Sequence, residues 1–295
     1  MTKQLRVLFF LLLMTAYSVS SMAQVDLFSE KEDAFTDVVT STFKSTRVVN
    51  GHSIENVGKG VLDFRILHRF GQLSDGAYNL FGLDQASMRL GLDYGITKWL
   101  MAGVGRSTYE KQYDGFLKMR LLSQTTGSTN IPLSISYAGT AIYKSIKSPT
   151  TTYVPYQTDR LSYAHQLILA SKFNDYISLQ FMPTLFHYNI VEKSTLPNDF
   201  LSVGVASRIR ITKRVNLTGE YFYRINKLDG YNNSLSVGFD IETGGHVFQL
   251  HVTNSTGMTE RTFINETAGS WEKGNIRFGF NVSRVFTIVK PKEFR

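Results

Sequence analysis

Apolar and polar residues alternate one by one through most of this chain, and a period of two is typical of β-strands. In residues 88–96, five apolar side chains alternate with two glycines and with the charged residues Arg89 and Asp93. A face of charge and glycine does not suit the core of a soluble β-sandwich. Twelve runs have this alternation, at 62–70, 88–96, 100–104, 117–121, 131–137, 161–169, 177–185, 201–211, 215–223, 235–241, 248–252 and 276–282.

The connections between these runs alternate in length. Tight turns are predicted at 96–99, 173–176, 211–214 and 243–246, with a fifth, somewhat longer one around Gly127. Longer links rich in Gly, Asn, Asp, Ser and Thr are predicted at 71–85, 110–115, 143–159, 188–199, 226–232 and 254–273. The pattern predicts an all-β fold, a single antiparallel transmembrane β-barrel of about 12 strands over residues 60–295. Its turns would be periplasmic and its loops extracellular. An exported β-sandwich stays open as an alternative, because alternation alone fits both.

The N-terminus has the order of a secretory signal. Lys3 and Arg6 precede an apolar run, and Ser21 and Ala23 place small residues at the −3 and −1 positions of a cleavage site. We therefore expect a signal peptide at residues 1–23 and a mature chain that is exported to the outer membrane. The net charge of +8 would suit nucleic acid, but an exported protein does not normally meet genomes, so no nucleic-acid partner is expected. The absence of cysteine excludes disulfides and thiol chemistry.

Residues 24–59 do not alternate and form a polar lead to the barrel. Two interpretations stay open for this segment, a periplasmic lead and a plug that folds into the lumen. A plug would place Lys44, Arg47 or His52 within the path through the barrel.

Six stretches resemble a known family. They are TFKSTR at 42–47, NGH at 50–52, DFRILHRFG at 63–71, LFGLD at 80–84, RLGLDYG at 89–95 and GVGRS at 103–107. These stretches are similar to the outer-membrane β-barrel family called domain of unknown function 5777. The resemblance implies a barrel of the Gram-negative envelope. It supplies no catalytic or binding residue, because the family carries no settled activity.

If the apolar positions face lipid, the alternate positions face the lumen. This inner face has nine basic and four acidic residues, a surplus of five positive charges. The basic residues are Arg65, Arg69, Arg89, Lys118, Arg120, Arg208, Arg210, Arg224 and Arg277, and the acidic residues are Asp63, Asp93, Glu220 and Asp240. One interpretation is a network of ion pairs that fills a narrow barrel, with Arg65 or Arg69 paired to Asp93. The other is a basic aqueous path that concentrates anions.

The predicted role is passive, as a narrow porin-like pore or transport barrel for small anionic solutes, or as a structural envelope protein. The expected partners are outer-membrane lipid and small anionic solutes, and no protein partner can be named. Arg106 falls on the lipid-facing register, where it would meet lipid phosphates unless a bulge turns it inward.

Two alternatives belong to other classes of protein. One is an outer-membrane lipid hydrolase that uses the adjacent His52 and Ser53, and the other is a surface binding protein whose loop 254–273 displays Phe263 and Trp271. We expect no catalytic residue and no cofactor. No metal site is expected either, because the six histidines have no metal-ligand spacing.

Overall fold

The computed structural model describes residues 35–146, 156–191, 196–226 and 228–290. The predicted signal peptide at 1–23 and the first part of the polar lead lie outside the described residues. Fourteen strands are formed within the described residues, twelve long and two short. They are β1 (Thr36–Val38), β2 (Val61–Gln72), β3 (Ala86–Gly95), β4 (Leu100–Ser107), β5 (Gln112–Leu122), β6 (Thr125–Gly127), β7 (Ser134–Lys144), β8 (Leu161–Lys172), β9 (Ile177–Tyr188), β10 (Asp199–Arg210), β11 (Val215–Arg224), β12 (Ser234–Glu242), β13 (His246–Thr253) and β14 (Arg277–Thr287).

The twelve long strands form one closed barrel in which every strand pairs antiparallel with its neighbours in the chain. The barrel closes where β14 pairs with β2, with Gly279 opposite Arg69 and Thr287 opposite Val61. Because closure pairs both edges of every strand, no main-chain ladder is left open. The predicted fold, a closed antiparallel barrel of twelve strands, is confirmed.

The connections at one end of the barrel are mostly shorter than those at the other, although 123–133 at the first end has eleven residues and 108–111 at the second has four. The end that we call the turn end has the connections 96–99, 173–176, 211–214 and 243–245, together with 123–133, where β6 pairs with β1. The other end, the loop end, has the connections 73–85, 108–111, 145–160, 189–198, 225–233 and 254–276. The predicted link 110–115 is too long, because Gln112 and Asp114 already belong to β5 and are buried.

Short helical turns lie only in the connections of the described chain. The 3₁₀ turns are Leu73–Asp75, Ala77–Gly82, Tyr109–Lys111 and Thr158–Arg160, and a single π-helical turn spans Arg261–Asn265. Within the described residues, no helix is both long and apolar enough to cross a bilayer.

The outward face of the barrel is apolar. Leu90, Leu92, Val104 and Leu117 are between 42% and 59% exposed there, whereas the alternate side chains point inward and are buried. An apolar outer belt of this kind leaves the polar half of each strand for the interior.

Two segments of the chain fill the interior. The first is residues 41–57, which we call the plug, and the second is residues 254–268, which we call the inner loop. Phe43, Val48 and Ile54 of the plug share one buried apolar cluster with Phe222 of β11 and Phe263 of the inner loop. The structure therefore places this part of the polar lead inside the barrel.

Candidate functional site

The centre of the plug is a tight hairpin. Its two arms are joined by hydrogen bonds from Val48 N to the Gly51 oxygen (2.9 Å) and from Ser53 N to the Thr46 oxygen (3.0 Å). The tip, residues 48–51, packs directly on the wall. A Cβ atom at Gly51 would lie 2.7 Å from the ring of Phe222, so only glycine fits at this position.

The tip of the plug surrounds the carboxylate of Glu220, an inward-facing residue of β11. The main-chain N–H groups of Val49, Asn50 and Gly51 donate to it, at 3.2, 2.8 and 3.0 Å. The side-chain amide of Asn50 adds a fourth hydrogen bond at 2.9 Å. Consecutive main-chain donors that converge in this way form a concave anion-binding surface.

Basic side chains of the wall donate to main-chain oxygens of the plug. Lys118 Nζ lies 3.0 Å from the Ser53 oxygen and 2.5 Å from the Glu55 oxygen. Arg120 donates to the Ile54 oxygen at 2.6 Å, and Arg208 donates to the Ser41 oxygen at 3.0 Å.

Wall amides hold the plug in the same way. Gln249 donates to the Val48 oxygen (2.7 Å) and Asn281 donates to the Val49 oxygen (2.9 Å). Side chains from several strands around the barrel thus bond to the backbone of one inserted segment.

Arg65 and Arg69 do not pair with Asp93, and this expectation is wrong. Arg65 bonds to Asp63 at 3.1 Å and to the Thr46 hydroxyl at 2.7 Å. Arg69 donates to the side-chain oxygens of Asn281 (2.9 Å) and Asn50 (2.8 Å), and Asp93 accepts from Thr46 at 3.3 Å. Arg65 and Asp93 lie on the paired strands β2 and β3, but both side chains bond to Thr46 of the plug instead of to each other.

The other predicted lumen residues lie along the same inner surface. Arg89 forms an ion pair with Asp114, and Asp240 accepts from Gln249 at 2.9 Å. Arg224 donates to the main-chain oxygens of Asn265 (2.8 Å) and Tyr231 (2.6 Å). Arg210 is half-buried at the turn end of β10, and Arg277 is half-buried at the loop end of β14.

The inner loop contacts the plug through Glu260, a residue that the sequence analysis missed. Its carboxylate lies 2.7 Å from Arg47 Nη1 and 3.4 Å from the imidazole of His52, and all three side chains are buried. A loop from one end of the barrel therefore meets the plug, which begins and ends at the other end.

The expectation that the loop 254–273 displays Phe263 to a partner is wrong. Phe263 is fully buried, because residues 254–265 turn into the lumen. Trp271 is half-buried and donates its indole N–H to the Leu235 oxygen at 3.0 Å.

Nearer the loop end, the inner loop contains its own ion pair. Arg261 Nε lies 2.9 Å from Glu266, and the guanidinium stands 4.8 Å from the ring centroid of Tyr188. Burial raises the pKa of the Glu266 carboxyl above its ordinary value, and the charge of Arg261 opposes this rise.

His52 and Ser53 do not form a nucleophile and base. The Ser53 hydroxyl donates to the Ser45 oxygen at 2.5 Å, and neither ring nitrogen of His52 has a hydrogen-bond partner among the described residues. Both residues are fully buried in the plug, away from the outer face. The arrangement lacks the hydrogen bond from nucleophile to base that a catalytic pair requires.

Arg106 points outward. Its strand pairs without a register shift, with Arg106 opposite Leu90 and Tyr113, so no bulge turns it inward. Its Nε donates to the Tyr113 hydroxyl at 3.1 Å on the outer face.

A sequence model for a family described as a membrane-bound β-barrel domain, DUF5777, matches residues 43–286. The chain belongs to this family. The predicted resemblance is confirmed, and the match includes most of the plug as well as the barrel of this DUF5777 member. No curated protein matches the chain in sequence.

Several solved porin structures are similar to this DUF5777 barrel in fold. The NanC porin in a rhombohedral crystal form is 8% identical, with a TM-score of 0.48, over 76% of this chain and 98% of that chain. The KdgM porin is 11% identical, with a TM-score of 0.47, over 77% of this chain and 99% of that chain. The KdgM porin in complex with disordered oligogalacturonate is 12% identical, with the same TM-score and coverage.

Proposed function

We propose that this protein is an outer-membrane barrel that passes small anionic solutes, and that the plug closes its lumen in the state described above. The observation that carries the proposal is the pairing of the wall cations. Lys118, Arg120 and Arg208 are held by main-chain oxygens of the plug, and none of the three forms an ion pair with any described carboxylate.

The partners of these cations favour the interpretation of the lumen as a basic aqueous path. A carboxylate cancels a full positive charge, whereas a carbonyl oxygen only solvates it. If the polar network served only to stabilise the barrel, we would expect its cations to pair with carboxylates, as Arg89 does with Asp114. Withdrawal of the plug would leave Lys118, Arg120 and Arg208 facing water. Their field would then raise the local concentration of anions.

The plug is attached in a way that permits withdrawal. Within the described residues, no main-chain hydrogen bond joins residues 41–57 to a barrel strand, so no strand ladder would break. The neighbouring residues are tied at the turn end, by Val39 N to the Gln124 oxygen (2.9 Å) and by Gly60 N to the Gly95 oxygen (2.8 Å). A segment held by side chains and tied at one end can leave from that end without unfolding the barrel.

The experiment compares ion flux through the mature chain and through a chain that lacks residues 24–57. Each is refolded into planar bilayers, and slower migration on heated than on unheated detergent gels verifies the folded barrel. We expect the mature chain to be closed most of the time and the shortened chain to conduct steadily. A shortened barrel that is folded but never conducts would favour a structural envelope protein instead.

A further inference from the structure

The tip of the plug has the geometry of a ligand site that the wall itself occupies. The Glu220 oxygen Oε1 accepts from the Asn50 main-chain N–H (2.8 Å) and from its side-chain amide (2.9 Å). Oε2 accepts from Val49 N (3.2 Å) and Gly51 N (3.0 Å). Both oxygens of one carboxylate are therefore doubly satisfied by three consecutive residues.

We propose that residues 49–51 are a carboxylate-binding site, that Glu220 is the ligand in the closed state, and that loss of this ligand releases the plug. The inference deepens the proposed function, because it rests on the plug being the gate and names the contact that holds it shut.

The donors select a carboxylate over a neutral group. Four N–H donors face the Glu220 oxygens, and an ionised carboxylate can accept from all of them because it has two oxygens with free lone pairs. An amide has one such oxygen, and its NH₂ group would face two of these N–H donors in either orientation. Charge-assisted hydrogen bonds of this kind are about twice as strong as neutral ones.

The surroundings hold the tip in register with this carboxylate. Asn50 is fixed from two further sides, by Arg69 at 2.8 Å and by the Ser236 hydroxyl at 3.1 Å. Phe222, two residues after Glu220 on the same inward face of β11, contacts the position that only Gly51 can fill. The site is thus formed by the plug but aligned by the wall.

Glu220 differs from the other groups that hold the plug. The amides and most of the cations each bond to only one or two plug carbonyls. The buried carboxylate of Glu220, a residue that is only 2% exposed, accepts hydrogen bonds from three main-chain N–H groups of the plug. Its removal therefore leaves three donors unpaired together, which strongly disfavours the closed state.

The test reads the position of the plug directly. The chain has no cysteine, so Ser53→Cys introduces a single thiol at a fully buried plug position. A membrane-impermeant maleimide should label this thiol slowly in the full-length, refolded protein. We expect Glu220→Gln in the same background to raise the labelling rate on the order of tenfold or more.

The matched control is Asp240→Asn. Asp240 is an equally buried carboxylate on the neighbouring strand β12, and it makes no bond to the plug. It accepts from Gln249 and Thr218 through its oxygen Oδ1, which asparagine keeps, so the bond from Gln249 to the plug is retained. Its variant should label no faster than the parent. Equal labelling of the Glu220→Gln and Asp240→Asn chains would overturn the proposal.

Chemical rescue tests the ligand class. In a Glu220→Ala chain, formate should enter the vacated space, restore the acceptors and slow the labelling, whereas chloride at the same ionic strength should not. Formate that leaves the labelling rate of this variant unchanged would contradict a carboxylate site.

If the Glu220→Gln variant does not migrate as a folded barrel, Glu220→Asp replaces it. Its shorter side chain should give a labelling rate between those of the parent and the Glu220→Ala variant. A rate equal to that of the parent would refute the proposal that Glu220 holds the plug closed.

Conductance measured on the same samples separates this inference from the proposed function. Fast labelling of the Glu220→Gln chain without conductance would support the role of Glu220 in holding the plug and refute the proposed pore function. Steady conductance of the chain lacking residues 24–57, with no effect of Glu220→Gln on labelling, would support the pore function and refute the role of Glu220 in holding the plug.

Discussion

Replacement of Lys118 by methionine tests how strongly a single wall cation holds the plug. The ammonium group is fully buried and donates to the Ser53 oxygen at 3.0 Å and to the Glu55 oxygen at 2.5 Å. Neither oxygen has another donor among the described residues, and methionine fills a similar volume without donating.

The size of the effect follows from these two oxygens. An unpaired buried acceptor costs about 1–3 kcal/mol, so two of them cost about 2–6 kcal/mol in the closed state. Part of this is regained, because methionine does not have to be stripped of a charged hydration shell. We take about 2 kcal/mol as the net change, which shifts the ratio of closed to open plug roughly 30-fold.

The assay is maleimide labelling of the thiol introduced by Ser53→Cys, with and without Lys118→Met in the same chain. Lys44→Met is the control, because Lys44 pairs with Glu242 at 2.8 Å near the surface of the turn end, where an ion pair is worth about 0–1 kcal/mol. The Lys44 variant should change the labelling rate by less than about fivefold. Equal effects of the two substitutions would refute the argument that buried main-chain pairing, and not the general positive charge, holds the plug.

Three further predictions concern selectivity, packing and sidedness. In the chain lacking residues 24–57, the wall surplus is four positive charges when the nine basic residues are set against the four predicted acidic residues and Asp114, and Lys118→Glu with Arg120→Glu lowers it to zero. The reversal potential should move toward cations, and an unchanged value would contradict the lumen assignment. Gly51→Ala should speed labelling of the thiol in the Ser53→Cys background, because its Cβ would lie 2.7 Å from the Phe222 ring, and Phe222→Leu should reverse the effect. An epitope inserted at Gly230, where a side chain meets nothing within 4 Å, should be reached by antibody on intact cells, and exclusive access from the periplasmic side would invert the topology.

The alternation of side chains predicted the barrel because it is a local property of each strand. Residues such as Arg89 and Asp93 were assigned to the inner face from their position alone, and both are buried there. Asp114 was missed because the strand boundary was placed too late, although it has the same parity as Lys118. A shift of a few residues in one boundary thus removed the ionic partner of Arg89 from the predicted lumen.

Strand periodicity could not predict which segments of the chain lie in the lumen. Residues 41–57 and 254–268 have no regular period. A polar sequence is compatible both with exposure to water and with burial against a polar barrel wall, so composition does not distinguish the two. Arg65 and Arg69 were therefore given the acidic partner Asp93 on the neighbouring strand, whereas in the structure they bond to Thr46 and Asn50 of the plug. One signal was available for the inner loop, since Met258, Phe263 and Ile264 are unusually apolar for an extracellular connection.

The central claim, that the wall of this barrel is a net cationic path once the plug has left it, is tested most directly by the reversal potential of the chain lacking residues 24–57. A salt gradient near 0.01 M leaves charges unscreened over about 30 Å, whereas near 1 M the screening length is about 3 Å. We predict a reversal potential of the sign for anion preference at low salt, and a value approaching zero as both solutions approach molar concentration. A conducting barrel with a cation-preferring or salt-independent reversal potential would contradict the claim.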